Sequence, residues 1–245
     1  PPHRALHALH ALLQPKQALA LDGPAPAAIK KRANLPVNIA SVVPAAPAIR
    51  VVSAAPAAAA QPGVPARRVL VLPGWQGSGP EHWQSRWERL HGYQRVEQHD
   101  WMRPLRGDWT ARLEDCVLDA GGPVVLVAHS LGCILLAWWA AHSAHAHRVH
   151  AALLVAPGDV ERSDVRAQLP GWAPVALQQP LPFAAVLVAS HNDPWCSLER
   201  ARSLAGAWGA HLVDAGARGH LNAESGLGDW PEGHALLVSL MQKKD

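Results

Sequence analysis

The sequence predicts a mostly parallel α/β sheet of six strands, covered by helices on both faces and without a large cap. Two patterns and one composition figure predict it. Short apolar runs rich in Val, Leu and Ala recur from residue 69 onward, and a helix-length segment separates most of them from the next. Hydrophobic residues make up 49% of the chain and charged residues only 17%, so the core is large. Strands that are apolar throughout are buried on both faces, which is the condition of a parallel sheet joined through helices.

The elements follow in order. Val69–Leu72 is a short apolar run stopped by Pro73-Gly74, a buried strand ending in a turn. Ser78-Gly79-Pro80-Glu81 places a cap before a proline at the first helical position and opens a helix through about Leu90. Tyr93–Gln98 reads as the second strand, and Asp108 as the cap of a helix through about Asp119. Val124–Ala128 is the third strand, followed by His129-Ser130-Leu131-Gly132 and an apolar helix through about Ala144. Three further strands are expected at Ala151–Ala156, Ala184–Ala189 and His211–Asp214, with helices over Ser197–Trp208 and Pro231–Met241. Between Gly158 and Pro182 the prolines at 170, 174, 180 and 182 break any periodicity, so this stretch is expected to be a loop over the sheet end.

The first 66 residues are of another kind. They hold 20 Ala and 11 Pro, while all 13 aromatics lie from Trp75 onward. Such a segment buries too little surface to offset chain entropy, so 1–66 is expected to be a disordered extension and 67–245 the folded domain. The extension carries six basic residues against Asp22 alone, net +5, which leaves −2 for the rest. The folded part therefore has no electrostatic footprint for nucleic acid. No uncharged apolar stretch is long enough to cross a membrane, and Pro44, Pro47 and Pro56 interrupt the one run that resembles a secretory signal. Cys116, Cys133 and Cys196 form no C-x-x-C pair, so a reducing, cytoplasmic compartment is expected. Two histidine groups suggest metal, His3/His7/His10 and the run His142, His145, His147 and His150. The first is a histidine face on a polar tail, rarely a metal site, the second lies past the helix end without carboxylate or cysteine support, and no metal or cofactor is expected.

In parallel sheets ligands bind beyond the carboxyl ends of the strands. Those ends carry Pro73-Gly74-Trp75, Ala128-His129-Ser130-Leu131-Gly132, His191-Asn192-Asp193 and Gly219-His220. A serine between small residues at a strand-to-helix turn is a nucleophile elbow, in which the tight turn pushes the hydroxyl into the open. Ala128 stands where the motif usually has its first glycine. A serine hydroxyl needs a base, and the base needs an acid to fix its tautomer. Ser130, Asp193 and His220 occur in the order this arrangement requires. Rivals stand beside two of the roles: Asp159 after the fourth strand for the acid, and His129 and His191 as neighbours able to pack or hydrogen-bond. The oxyanion donors expected are the amides of Leu131, at the start of the elbow helix, and Trp75, where Gly74 permits close approach. Trp75, Trp101 and Trp172 are expected to wall a small acyl pocket.

Leu72-Pro73-Gly74-Trp75-Gln76-Gly77-Ser78-Gly79-Pro80-Glu81-His82-Trp83-Gln84, the A-H-S-L-G elbow and Asn192-Asp193-Pro194-Trp195 resemble the retinoblastoma-binding protein 9 family of small serine hydrolases. So does the run from Gly219-His220-Leu221-Asn222-Ala223-Glu224-Ser225-Gly226 to Gly228-Asp229-Trp230-Pro231-Glu232-Gly233. The likeness covers about residues 68–241. It implies a compact α/β-hydrolase fold without a large cap, with Ser130 as nucleophile, Asp193 as acid and His220 as base, acting on small esters. The family name suggests a pocket-protein partner that reads L-x-C-x-E. Here the nearest match, Leu131-Gly132-Cys133-Ile134-Leu135, ends in leucine at the buried elbow, so that partner is not expected. Two function classes remain open from sequence: an ester hydrolase acting on a small molecule, and a catalytically weak hydrolase-like scaffold that binds a protein or metabolite.

Overall fold

The computed structural model describes residues 67–243 of the chain. The expected extension over 1–66, with His3, His7 and His10, lies outside the described residues. Six strands form one all-parallel sheet: β1 (Arg68–Leu72), β2 (Gln94–Arg95), β3 (Val124–His129), β4 (Val149–Val155), β5 (Ala184–Ala189) and β6 (His211–Asp214). Their spatial order is β2-β1-β3-β4-β5-β6, with every neighbouring pair parallel. The order reverses direction between β1 and β3, which places a crevice at their carboxyl ends.

Side-chain alternation divides the core into two layers. Leu70, Leu72, Leu126, Ala128, Leu154 and Leu187 face α2 (Arg106–Asp119), α3 (Leu131–His142) and α5 (Leu198–Trp208). Val69, Val125, Val127, Leu153, Val155 and Val188 face α1 (Trp83–His91) and α6 (Pro231–Gln242). Trp83 and Trp87 of α1 meet Trp230 on that second layer at ring separations of 5.0 and 5.9 Å. Among the described residues no helix is long and apolar enough to cross a membrane.

Four local expectations need correction. The second strand pairs only over Gln94–Arg95, and the preceding Tyr93 bonds His234 Nε2 at 2.8 Å and packs on Trp87. The first helix begins at Trp83 rather than near Pro80, capped by His82, whose ring accepts from the Gln84 amide. Asp108 lies inside the first turn of α2, and Leu105 occupies the cap position. The 158–182 segment contains a short helix, α4 (Ser163–Gln168), seated on the core through Val165.

Candidate active site

Ser130 sits between β3 and α3 with φ 53° and ψ −120°, a conformation side chains rarely adopt. The turn is held open by absent Cβ atoms. A Cβ on Gly132 would stand 2.3 Å from the Leu72 carbonyl oxygen, and one on Gly74 would stand 2.7 Å from Ser130 Cβ. Ala128, in place of the motif's first glycine, is fully buried in the sheet.

The chain order expected from sequence closes in space. His220 Nε2 lies 2.9 Å from Ser130 Oγ, and His220 Nδ1 lies 2.9 Å from each Asp193 carboxylate oxygen. Both side chains are shielded, His220 9% and Asp193 2% exposed. Asp193 is aimed by the Trp195 amide, which donates to Oδ1 at 2.8 Å. Its loop is knitted to the histidine loop: the Arg218 amide donates to Ser190 Oγ and the Gly219 amide to Asn192 Oδ1, both at 2.8 Å. Asp159, the rival acid, faces Arg200 Nε at 3.3 Å and makes no hydrogen bond to His220. His191 is exposed and bonded to Asp214.

His129 stands behind His220, ring centroids 4.9 Å apart. Its Nε2–H donates to the His220 carbonyl at 2.9 Å, which fixes the loop from below. Burial, aided by His82 and His220, holds its pKa well below the ordinary histidine value. Beside it His82, ring centroid 4.7 Å away, is lowered to about 3, again chiefly by burial. Both are neutral imidazoles near neutral pH. Gln84 is a structural contributor that sequence reasoning missed: its buried amide donates to the Leu72 and Val127 carbonyls at 3.2 Å and accepts from Ser78 Oγ at 2.7 Å. It thereby ties the loop after β1 to β1 and β3. The glutamine was visible in the sequence, but nothing in its spacing marks it as a staple.

A cavity of about 460 Å³ opens over Ser130, with Trp75, Val165, Leu169, Trp195 and His220 among its walls. Trp75 is one of these walls. Trp172 and Trp101 do not line it. Trp172 is fully buried, its indole N–H donating to the Pro104 carbonyl and its ring edge-on to Trp109. Trp101 packs on Trp109 and beneath Gly77, behind the loop. An indole needs both apolar contact and an acceptor for its N–H, and the interior supplies these better than an open pocket. Gly74 contributes by lying against Ser130 rather than by lining the cavity.

The remaining histidines are separate. His142 bonds the Trp138 carbonyl, His145 bonds Glu114 and His147 bonds the Ala144 carbonyl. Among the described residues no group of three His, Cys, Asp or Glu side chains is placed to hold a metal. Cys116, Cys133 and Cys196 are buried free thiols, and burial raises the pKa of all three, Cys196 to about 12.

Similarity to known proteins supports the fold and its family. A YdeN-like hydrolase of Pectobacterium atrosepticum shares 32% identity, with 71% of this chain and 89% of that chain covered and a TM-score of 0.62. The ydeN gene product of B. subtilis matches at 20% identity over 73% of this chain and 100% of that one, with a TM-score of 0.61. Est1E from Butyrivibrio proteoclasticus, solved with ferulic acid, shares the fold at 11% identity over 73% of this chain and 90% of that one, with a TM-score of 0.59. No curated protein matches the chain in sequence. The family model described as serine hydrolase matches residues 69–239, from the first strand to the last helix, and the chain belongs to that family.

Proposed function

We propose that this serine hydrolase cleaves small carboxylic esters through an acyl-enzyme, with residues 67–245 as the catalytic unit. One observation carries the reading: an unbroken hydrogen-bond chain from Asp193 through His220 to Ser130, at 2.9 Å on each side of the imidazole. Asp193 accepts from Nδ1–H, which leaves the Nε2 lone pair facing the serine hydroxyl, the tautomer a general base needs. Ser130 Oγ attacks the acyl carbon while its proton passes to Nε2. The carbonyl becomes a tetrahedral oxyanion, which collapses as Nε2 returns the proton to the departing alcohol oxygen. Water then repeats the sequence on the acyl-serine and releases the acid.

The oxyanion is assigned to the amides of Leu131 and Trp75. Leu131 is the first residue of α3, so its N–H has no acceptor within the helix and stands at the positive end of the dipole. The Ser130 amide is engaged with the Val155 carbonyl, and those of Gln76 and Gly77 with Trp101 and Gly74, which supports Trp75 as the donor on the facing loop. The likeness to retinoblastoma-binding protein 9 supports a finer placement within the serine hydrolases, and it rests on the motif blocks alone.

A non-catalytic scaffold would have no use for the strained Ser130 backbone, since strain persists where a site requires it. Fluorophosphonate labelling of the full chain tests the reading, followed by turnover of p-nitrophenyl esters. Labelling at Ser130 that disappears in Ser130→Ala is expected. Labelling that persists in the variant, or an unlabelled wild type, would overturn it.

A further inference from the structure

Two glycines flank the nucleophile and differ in what they leave open. β1 and β4 lie on opposite sides of β3, so Gly74 after β1 and Gly158 after β4 approach Ser130 from opposite directions. A Cβ on Gly74 would stand 2.7 Å from Ser130 Cβ and 3.2 Å from both Ser130 Oγ and the His129 carbonyl oxygen. The turn itself therefore requires a glycine at 74. A Cβ on Gly158 would meet one atom within 4 Å beyond its chain neighbours among the described residues, Ser130 Oγ at 3.7 Å, an ordinary van der Waals contact.

Nothing in the fold requires glycine at 158. Its φ lies outside the left-handed region that favours glycine, and no backbone or side chain stands where a methyl would go. A glycine with no such duty still costs chain entropy on folding. The position is nonetheless a fixed one. The Ala156 amide donates to the Val188 carbonyl at 2.9 Å and the Asp159 amide to the Trp195 carbonyl at 3.1 Å, while the Asp159 carboxylate faces Arg200. Gly158 is half-buried and lines the cavity, so the open space beside it belongs to the room that a substrate enters.

The chemistry says which part of the substrate takes that space. In the attacking geometry the acyl carbon lies about 3–3.5 Å from Oγ, so substituents on the next carbon fall where a methyl on Gly158 would stand. The oxyanion is assigned to the amides of Leu131 and Trp75, on the β1 side and at the start of α3. The leaving oxygen must lie against His220 Nε2, which hands it the proton. The acyl chain is left with the β4 side. We propose that Gly158 is a specificity-determining residue, its missing side chain reserving the space beside Ser130 Oγ for a branch on the acyl α-carbon. The substrate class is then an ester of a short carboxylic acid branched next to its carbonyl. This rests on the ester-hydrolase reading above.

The test uses p-nitrophenyl isobutyrate and p-nitrophenyl butyrate, which hold the same atoms and differ only in the branch. Each kcat/KM is divided by the ester's own rate of hydrolysis by hydroxide, which removes its intrinsic reactivity. The wild-type enzyme should take the branched ester within about ten-fold of the straight one, less than the penalty of one crowded methyl in a fixed site. Gly158→Ala should lower the ratio of branched to straight by about ten-fold or more. A second pair, isopropyl and propyl butyrate, moves the branch to the alcohol, and its ratio should be the same in the variant as in the wild type. A wild-type bias against isobutyrate well beyond ten-fold overturns the proposal, and that measurement needs no variant to fold. An unchanged isobutyrate ratio in Gly158→Ala also overturns it. So does a loss that follows the alcohol branch, which would set Gly158 against the leaving group. Failure of the underlying reading looks different: no fluorophosphonate labelling at Ser130 and no turnover of any of these esters.

Discussion

Gly132 approaches β1 so closely that a Cβ on it would stand 2.3 Å from the carbonyl oxygen of Leu72 and 2.9 Å from that of Pro73. The obstacle is backbone, which cannot rotate aside. Gly132→Ala should therefore destabilise the fold by about 3 kcal/mol, the upper range of overpacking costs. Gly206→Ala, at a helical glycine with open space around it, should be neutral or stabilising. Urea unfolding of the two variants checks this, and a mild effect at Gly132 would mean that α3 can slide away from β1.

Ser130 has a strained backbone, and the strain is separable from the proposed chemistry. Ser130→Gly should abolish fluorophosphonate labelling and yet raise stability by about 1 kcal/mol, roughly 2–4 °C in a domain of this size. Ser130→Ala keeps the same disfavoured φ and should lose labelling without that gain. Thermal melts of the three proteins decide, and equal melting temperatures would remove strain from the account.

The two carboxylates near the site should behave differently. Asp193→Asn would present the wrong partner to His220 Nδ1 and should cut kcat by roughly 10⁴-fold, by the precedent of serine proteases of another fold. Asp159→Asn should cost far less, because Asp159 is turned to Arg200. Steady-state turnover of p-nitrophenyl acetate is the measurement. A larger loss at Asp159 would show that the carboxylates had been assigned the wrong way round.

Acyl length should matter. The cavity holds about 460 Å³, roofed by the short 158–182 segment through Val160, Val165 and Leu169. kcat/KM should be highest for acetyl to butyryl esters and fall beyond about six carbons, where further methylenes find no buried surface at ~0.8 kcal/mol each. A p-nitrophenyl series reads this directly. A rate constant climbing out to decanoyl would instead indicate an apolar groove opened by movement of α4.

Acid should weaken the fold through the buried imidazoles. His82 titrates at about 3 in the folded chain and His129 well below its ordinary value, both mainly through burial, against 6.5 when unfolded. The unfolded chain thus binds more protons below pH 6.5. The stability these groups contribute is complete above that pH and is lost as pH falls. Each adds a slope of up to about 1.4 kcal/mol per pH unit. Urea midpoints between pH 7 and pH 5 should show that decline, and His82→Asn should flatten it. An unchanged slope in the variant would place the acid sensitivity elsewhere.

The strands were legible because runs such as Val124–Ala128 and Ala184–Ala189 are apolar at every position, as a strand covered on both faces must be. The positions of Ser130, Asp193 and His220 were legible because each follows a strand, where a parallel sheet exposes its chain. What sequence could not show depends on packing between distant segments. α4 is six residues of weak signal among prolines, and only the core beneath Val165 makes it a helix. Trp172 reads as a pocket wall until the Pro104 carbonyl and Trp109 claim it. His82 reads as one residue of a motif. Its part as the cap of α1 appears only when its ring is seen to accept from the Gln84 amide.

The aromatic layer beneath the histidine loop has a consequence for synthesis. Trp83 donates its indole N–H to the carbonyl of Leu221, 138 residues further along the chain, and Trp87 donates to that of Asp229. A ribosome delivering the chain from its amino end therefore produces α1 with two large rings uncovered, and they stay so until Trp230 and α6 have emerged. Until then one apolar face of the nascent sheet stays open, the kind of transient exposure that leaves a folding chain prone to aggregate and in need of shielding.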